Sequence, residues 1–305
     1  MTMIKKQTYT TIVHLLMCCG LVAVASSCSN IDEADRLIAI DSELPIDTTV
    51  VDPNADFDSL YNLPAEQVAR RALIEDHTGQ TCANCPTMTY FIHQLQQLYG
   101  NLIVPVAIQS DYLGIMEPEG LANELGNYYF NQLNFTPKVK PAVMVSRYYN
   151  SVLTTSTDVS FYVENVLPIP TPLDIRIKAV RDEENVEQVN IDAKVVCCTD
   201  TTISGNLQVW VTEDDIIARQ DSLNGVHIAN YHHNHVLRAA VNGNQGEAVS
   251  VSGKADEKEF HYTLTLQPAW KPMNLSIVAF VYNDNEVVQV TRMPIRAPYG
   301  PEVFH

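Results

Sequence analysis

The apolar positions of this chain follow a helical period in its first half and a two-residue period in its second. Met88, Phe91, Ile92, Leu95, Leu98 and Tyr99 recur at spacings of three and four, with His93, Gln94, Gln96 and Gln97 on the opposite face. That pattern predicts an amphipathic helix, ended by Gly100-Asn101. The short apolar runs on either side, Arg71 to Asp76 and Leu102 to Gln109, read as strands, the second apolar enough for a buried parallel sheet. Pro105 lies inside that second run and has no donor for a ladder, which predicts a strand start or a bulge there. A second helix is expected over Leu121 to Leu133, and a strand from Ala142 to Arg147 entered through Lys140-Pro141. Val159, Tyr162, Val163 and Val166 suggest a third helix before Pro168, Pro170 and Pro172 mark a linker.

From Leu173 onward, apolar residues alternate with polar ones. Leu173, Ile175 and Ile177 begin the pattern; Val189 to Val195, Leu207 to Val211 and Phe260 to Leu266 continue it. Further runs lie at Val236 to Val241, Leu275 to Phe280 and Glu286 to Thr291. Separated by turn residues, these runs predict an antiparallel sandwich of seven or eight strands. No catalytic constellation stands out in it, so it reads as a part that binds or spaces, with a surface protein or host ligand as the expected partner.

Residues before 67 fit neither period. Lys5 and Lys6 precede an apolar stretch from Ile12 to Ala25, too short to span a bilayer comfortably, which reads as a secretory signal over residues 1–27. It runs into Ala25-Ser26-Ser27-Cys28, which resembles a bacterial lipobox, so Cys28 is the expected lipidation site and a lipid anchor the expected link to the membrane. From Ser29 to Leu63, nine acids face one base, Arg36, and Pro45 and Pro53 interrupt the segment. Residues 28–66 therefore read as an acidic tether. Acids soon after a lipidated Cys also resemble signals that send lipoproteins to the outer face; a plain spacer is the other reading. Composition adds a constraint on partners. The formal charge of −17 becomes −19 without residues 1–27, from 17 bases and 36 acids, which argues against nucleic acid.

The candidate chemistry sits at Cys82-Ala83-Asn84-Cys85-Pro86, where the first strand should hand over to the first helix. A Cys82 thiolate there is favoured by the exposed N–H groups and the dipole of the helix. Cys85, one turn deeper, is then the thiol that resolves a mixed disulfide. Three readings stay open: a redox pair, a static disulfide pinning the helix start, and half of a zinc site, the last lacking two further ligands at matching spacing. The first makes the protein a thiol-disulfide oxidoreductase acting on exported proteins, with no cofactor; the second makes it a surface adhesin or binding protein. Lys140 would lower the Cys82 pKa if it lay close, although such a lysine is more often solvated. His77 follows Asp76 on a strand and points the other way. His227, His232, His233 and His235 read as surface or packed side chains, and the adjacent Cys197 and Cys198 as one core and one partly exposed thiol.

A strand–helix–strand unit with CxxC at its first junction and a proline opening a later strand resembles the thioredoxin fold, over roughly Gln67 to Leu167. The resemblance implies that Asp76, six residues before Cys82, handles the proton of the second cysteine, and that Pro141 is a cis-proline facing the CxxC. It departs from the thioredoxin pattern at Thr81, where tryptophan is usual, and at Ala83-Asn84, where Gly-Pro is usual. Leu73-Ile74-Glu75-Asp76-His77-Thr78-Gly79, the CxxC, His233-Asn234-His235-Val236-Leu237-Arg238 and Val241-Asn242-Gly243 are in turn similar to motifs of the 28-kDa outer-membrane-protein family. That resemblance implies an envelope lipoprotein of the outer membrane, with a thioredoxin-like part followed by a β-rich part. The expected fold class is thus an α/β thioredoxin-like domain over 67–167, followed by an all-β antiparallel, immunoglobulin-like sandwich over 168–305.

Overall fold

Local sequence explains most of the first half. In the computed structural model, β1 (Ala72–Thr78), α1 (Cys85–Tyr99), β2 (Ile103–Gln109), α2 (Glu124–Gln132), β3 (Ala142–Val145) and α3 (Ser156–Val166) follow one another. The structure describes Tyr61, residues 68–284 and residues 286–297; the expected signal segment, Cys28 and the tether apart from Tyr61 lie outside these residues. Two helices begin on side-chain caps: Asn123 accepts from the Gly126 N–H at 2.8 Å, and Thr155 from the Asp158 N–H at 3.2 Å. α1 has no such cap, and Pro86 in its first turn has no N–H to satisfy. β1 pairs in parallel with β2 and antiparallel with β3. Pro105 interrupts nothing, because it lies opposite Ile74 in unbroken register. Its nitrogen faces the same side as that of Ala107, and on that side only Ala107 pairs with another strand, so no ladder bond is lost.

The second half contributes β4 (Leu173–Arg181), β5 (Gln188–Cys197), β6 (Thr202–Glu213), β7 (Ile216–Ser222), β8 (Val226–His233), β9 (Val236–Ala240), β10 (Glu247–Ser252), β11 (Glu257–Thr265), β12 (Leu275–Tyr282) and β13 (Val287–Pro294). β7, β8 and β10 carry too little apolar alternation to be foreseen.

The expectation of a thioredoxin-like domain followed by an all-β sandwich is overturned here, because strands of both halves belong to one mixed sheet. Its order is β13-β12-β6-β9-β2-β1-β3, with β10 also on β6. The join is a parallel contact of Val236 in β9 with Ala107 in β2, where the Ala107 N–H donates to the His235 carbonyl at 2.8 Å. The sheet then curls until its ends meet: the Val287 N–H at the start of β13 donates to the Ser146 carbonyl just after β3, at 2.8 Å. Inside the curl, Leu73, Val104, Val106 and Ile108 pack with Trp210, Leu237, Val278, Phe280 and Val290, and Tyr129 of α2 joins them. The other face of β6 and β12, with Leu207, Val209, Val211, Ile277 and Ala279, packs against the separate sheet β11-β5-β4.

The physical reason is visible in β6 and β12. A sandwich strand with one face in water would carry polar residues at 210, 278 and 280, yet Trp210, Val278 and Phe280 are fully buried. Two cores, one on each face, demand this. The downstream motifs behind the family resemblance fix β9, the strand at the join. Arg238 reaches Glu117 at 2.9 Å and Glu213 at 3.1 Å, and Asn242 accepts from the Val209 N–H at 3.0 Å while donating to the Leu207 carbonyl at 2.8 Å.

Candidate active site

Cys82 and Cys85 form a disulfide with a Cα–Cα separation of 5.4 Å. The loop leading to it depends on Gly79, where a Cβ would stand 2.1 Å from the Leu113 carbonyl oxygen, so no larger residue fits. Gly79 accepts from the Cys82 N–H at 3.0 Å, and the Thr81 N–H donates to the Leu113 carbonyl at 3.0 Å. The disulfide closes the uncapped start of α1. Both cysteines are buried, at 2% and 1% exposure, whereas the helix-start argument favours an accessible outer sulfur.

The hairpin of β7 and β8, a two-stranded sheet of its own, docks across this loop. Gln220 Nε2 donates to the Gly79 carbonyl at 3.1 Å and to the Cys82 carbonyl at 3.2 Å. Gln80 answers from the other side. Its Nε2 donates to the Arg219 carbonyl at 3.0 Å, and its own carbonyl accepts from the Asp221 N–H at 2.7 Å. Sequence reasoning missed Gln220, which lies 138 positions from Cys82 in a strand without a periodic signal.

Asp76 lies on β1 on the face turned to α1. Thr89 donates to its Oδ2 at 3.3 Å, and Thr89 stands one helical turn beyond Cys85 on the same face of α1. Asp76 is 3% exposed and its Oδ1 has no partner among the described residues. Burial pushes its pKa up to about 7, against the smaller opposing effects of the Thr89 hydrogen bond and the Lys140 charge. Lys140 is buried too, at 7% exposure, and not solvated as its type suggests. Its Nζ donates to the Thr78 carbonyl and, at 2.7 Å, to Ser110 Oγ. Burial lowers its pKa to about 7, against the attraction of Asp76 and Asp111. The peptide bond from Lys140 to Pro141 is cis, and the next residue, Ala142, pairs with His77 in the β1–β3 ladder.

Among the remaining candidates, His232 and His235 border a pocket that Asp76 and Thr89 also line. His77 points to the opposite face of β1 and packs 6.0 Å from the Phe130 ring. His227 and His232 are exposed beside Asp221 and Asp215, and His233 is buried. Among the described residues no group of three His, Cys, Asp or Glu side chains is arranged to hold a metal ion. Cys197 and Cys198 are both buried and not joined in a disulfide, and burial pushes Cys198 up to about 11.

A family model described as Outer membrane protein Omp28 matches residues 129–297, a span that begins after the disulfide. HBP35 of Porphyromonas gingivalis is similar in structure over 80% of this chain and 81% of its own, at 12% identity and a TM-score of 0.59, a likeness of fold. Spo0M, a sporulation control protein from Bacillus subtilis, overlaps 42% of this chain and 50% of its own at 12% identity, with a TM-score of 0.27. Comparison with curated protein sequences gives no match.

Proposed function

The chain belongs to the Omp28 outer membrane protein family, and from that premise we propose that it is a lipoprotein, anchored through Cys28, that exchanges disulfides with exported proteins through Cys82 and Cys85. It is a cell-envelope protein of the outer membrane that carries a Cys82–Cys85 disulfide. The observation that carries the redox reading is Asp76. A disulfide kept only as a staple has no use for a buried carboxyl held by Thr89, the residue one helical turn beyond Cys85, and burying that carboxyl costs stability. A disulfide that opens does have a use for it, because the inner thiol must gain and lose a proton. With pKa values of about 7, Asp76 and the nearby Lys140 both exchange protons close to neutral pH.

In the oxidising direction a thiolate of a partner dithiol attacks Sγ of Cys82. The S–S bond breaks, and Cys85 leaves as a thiolate that takes the proton of Asp76. The second thiolate of the partner then attacks the partner sulfur of the mixed disulfide and releases Cys82 as a thiolate. Two electrons pass from the partner, which gains a disulfide, to the Cys82 and Cys85 pair, which becomes a Cys82 thiolate and a Cys85 thiol. The reverse sequence reduces a partner disulfide, with Asp76 accepting the Cys85 proton. Exchange requires the β7–β8 hairpin to move, since both sulfurs lie in a buried loop that Gln220 clamps.

That burial is also the observation behind a second reading, a structural disulfide in a surface-binding protein. Cysteine variants separate the two. Cys85→Ala keeps the attacking thiol without its resolving partner, so mixed disulfides with exported proteins should accumulate on non-reducing gels, while Cys82→Ala should trap none. If neither variant forms adducts and the wild type stays oxidised in mild reductant, the structural reading replaces the redox one.

A further inference from the structure

On the face of β1 turned away from the disulfide, a cavity of about 360 Å³ opens between β1, β3, α2 and the turns that follow β9 and β12. Glu75 and Arg147 line it as a mutual pair: Arg147 Nη2 donates to Glu75 Oε1 at 2.8 Å, and Nε to Oε2 at 3.0 Å. Beside them lies His77, 1% exposed, whose Nδ1 has no partner among the described residues. Tyr128 and Tyr282 form aromatic walls, and the exposed Asn244 and Gln245 stand at the rim. The walls are wired in place. Tyr282 Oη donates to the Gln245 carbonyl at 2.6 Å, Tyr129 Oη to the Asn244 carbonyl at 2.9 Å, and the Arg147 guanidinium stacks 4.8 Å from the Tyr282 ring centre.

A buried imidazole nitrogen without a partner is costly, and a cavity bordered by that imidazole lets a ligand hydroxyl supply what is missing. Burial first, and then the charges of Lys140, Arg147 and Lys138, lower the His77 pKa to about 3, so the ring is neutral and has one donor and one acceptor nitrogen. The charges of Glu75 and Arg147 cancel within the cavity, and the exposed Asp284 adds one negative charge to its lining, where water screens it and where it repels an anion further. An anion would find its guanidinium already taken by a bidentate carboxylate, and a cation would meet that guanidinium. What remains suits an uncharged molecule rich in hydroxyls. Glu75 and Arg147 side by side offer an acceptor and a donor to neighbouring hydroxyl groups, the amides add both, and tyrosine faces cover apolar C–H surface. The volume falls at the small end of the range for ligand pockets, roughly 300–1,000 Å³. We propose that this cavity is a binding site for a neutral saccharide, a monosaccharide or disaccharide, separate from the disulfide chemistry.

The test titrates the protein, with its Cys82–Cys85 disulfide intact, with D-glucose, D-galactose, N-acetyl-D-glucosamine and lactose, and with inorganic phosphate as the charged control. Calorimetry reads the heat. Tryptophan fluorescence reads the cavity, since Trp210 Nε1 donates to Tyr129 Oη at 2.9 Å. At least one sugar should bind saturably and phosphate should not. Tyr128→Ala should raise Kd about tenfold, the loss of one aromatic contact. Gln245→Ala, at the exposed rim, should weaken binding with an unchanged Tm. The proposal is overturned if none of the four sugars binds, if phosphate binds in their place, or if both variants keep wild-type affinity.

Discussion

Asp76 and His77 are neighbours in sequence that β1 sends to opposite sides, one toward α1 and the other toward the polar cavity. Asp76 also ties stability to pH. Its pKa rises from 3.8 to about 7 on folding, so between those values the folded chain holds a proton that the unfolded chain has lost. Stability therefore falls as pH climbs from about 4 to about 7, and the full cost is present above that window. Asp76→Asn should raise Tm at pH 8 and leave it nearly unchanged near pH 4. The gain at pH 8 is at most on the order of 4 kcal/mol, trimmed because Lys140 loses an attraction that favours its charge. Thermal melts at the two pH values check this, and equal gains at both would rule out a buried, protonated Asp76. At this scale the cysteine pair was legible from its spacing, and Asp76 only through the resemblance to the thioredoxin fold. The burial of Lys140 was not, because nothing local told a solvated lysine from one whose Nζ ends on Thr78 and Ser110.

Among the elements, the β7–β8 hairpin is tied to the CxxC loop from both sides by Gln220 and Gln80. Each such bond contributes on the order of 1 kcal/mol. Gln220→Ala should therefore raise the population of open hairpin and speed reduction of the Cys82–Cys85 disulfide by dithiothreitol about tenfold. Amide exchange in β7 should quicken with it. An unchanged reduction rate would mean that the disulfide is reached by another route. The first-half elements were legible because each is a local pattern: the stripe of α1, the short buried strands, the proline before β3. β7 and β8 were not, since IIARQDS and VHIANYHH alternate weakly and gain their place by hydrogen bonds to a distant loop.

The whole molecule depends on the curl of the long sheet. Leu73, Val104, Val106 and Ile108 from the first half share a core with Trp210, Val278 and Phe280 from the second. A fragment of residues 68–167 would expose those four side chains to water, each worth roughly 1.5–3 kcal/mol of burial. It should fail to fold alone, with weak near-ultraviolet circular dichroism and binding of a hydrophobic dye. The complete chain should unfold in one calorimetric transition. Two separate transitions, or a stable fragment, would show that the halves are independent after all.

From sequence alone came the local periods, the CxxC at the head of a helix, the acid six positions before it and the family motifs, because each is written in residues close to one another along the chain. Tertiary structure alone decided that the two halves share a sheet, that a hairpin is bonded to the CxxC loop and that a polar cavity opens behind β1. Those outcomes rest on contacts between residues more than a hundred positions apart, such as the Val287 N–H on the Ser146 carbonyl. Alternation along a strand reports that a face is buried, and it cannot name the surface that buries it.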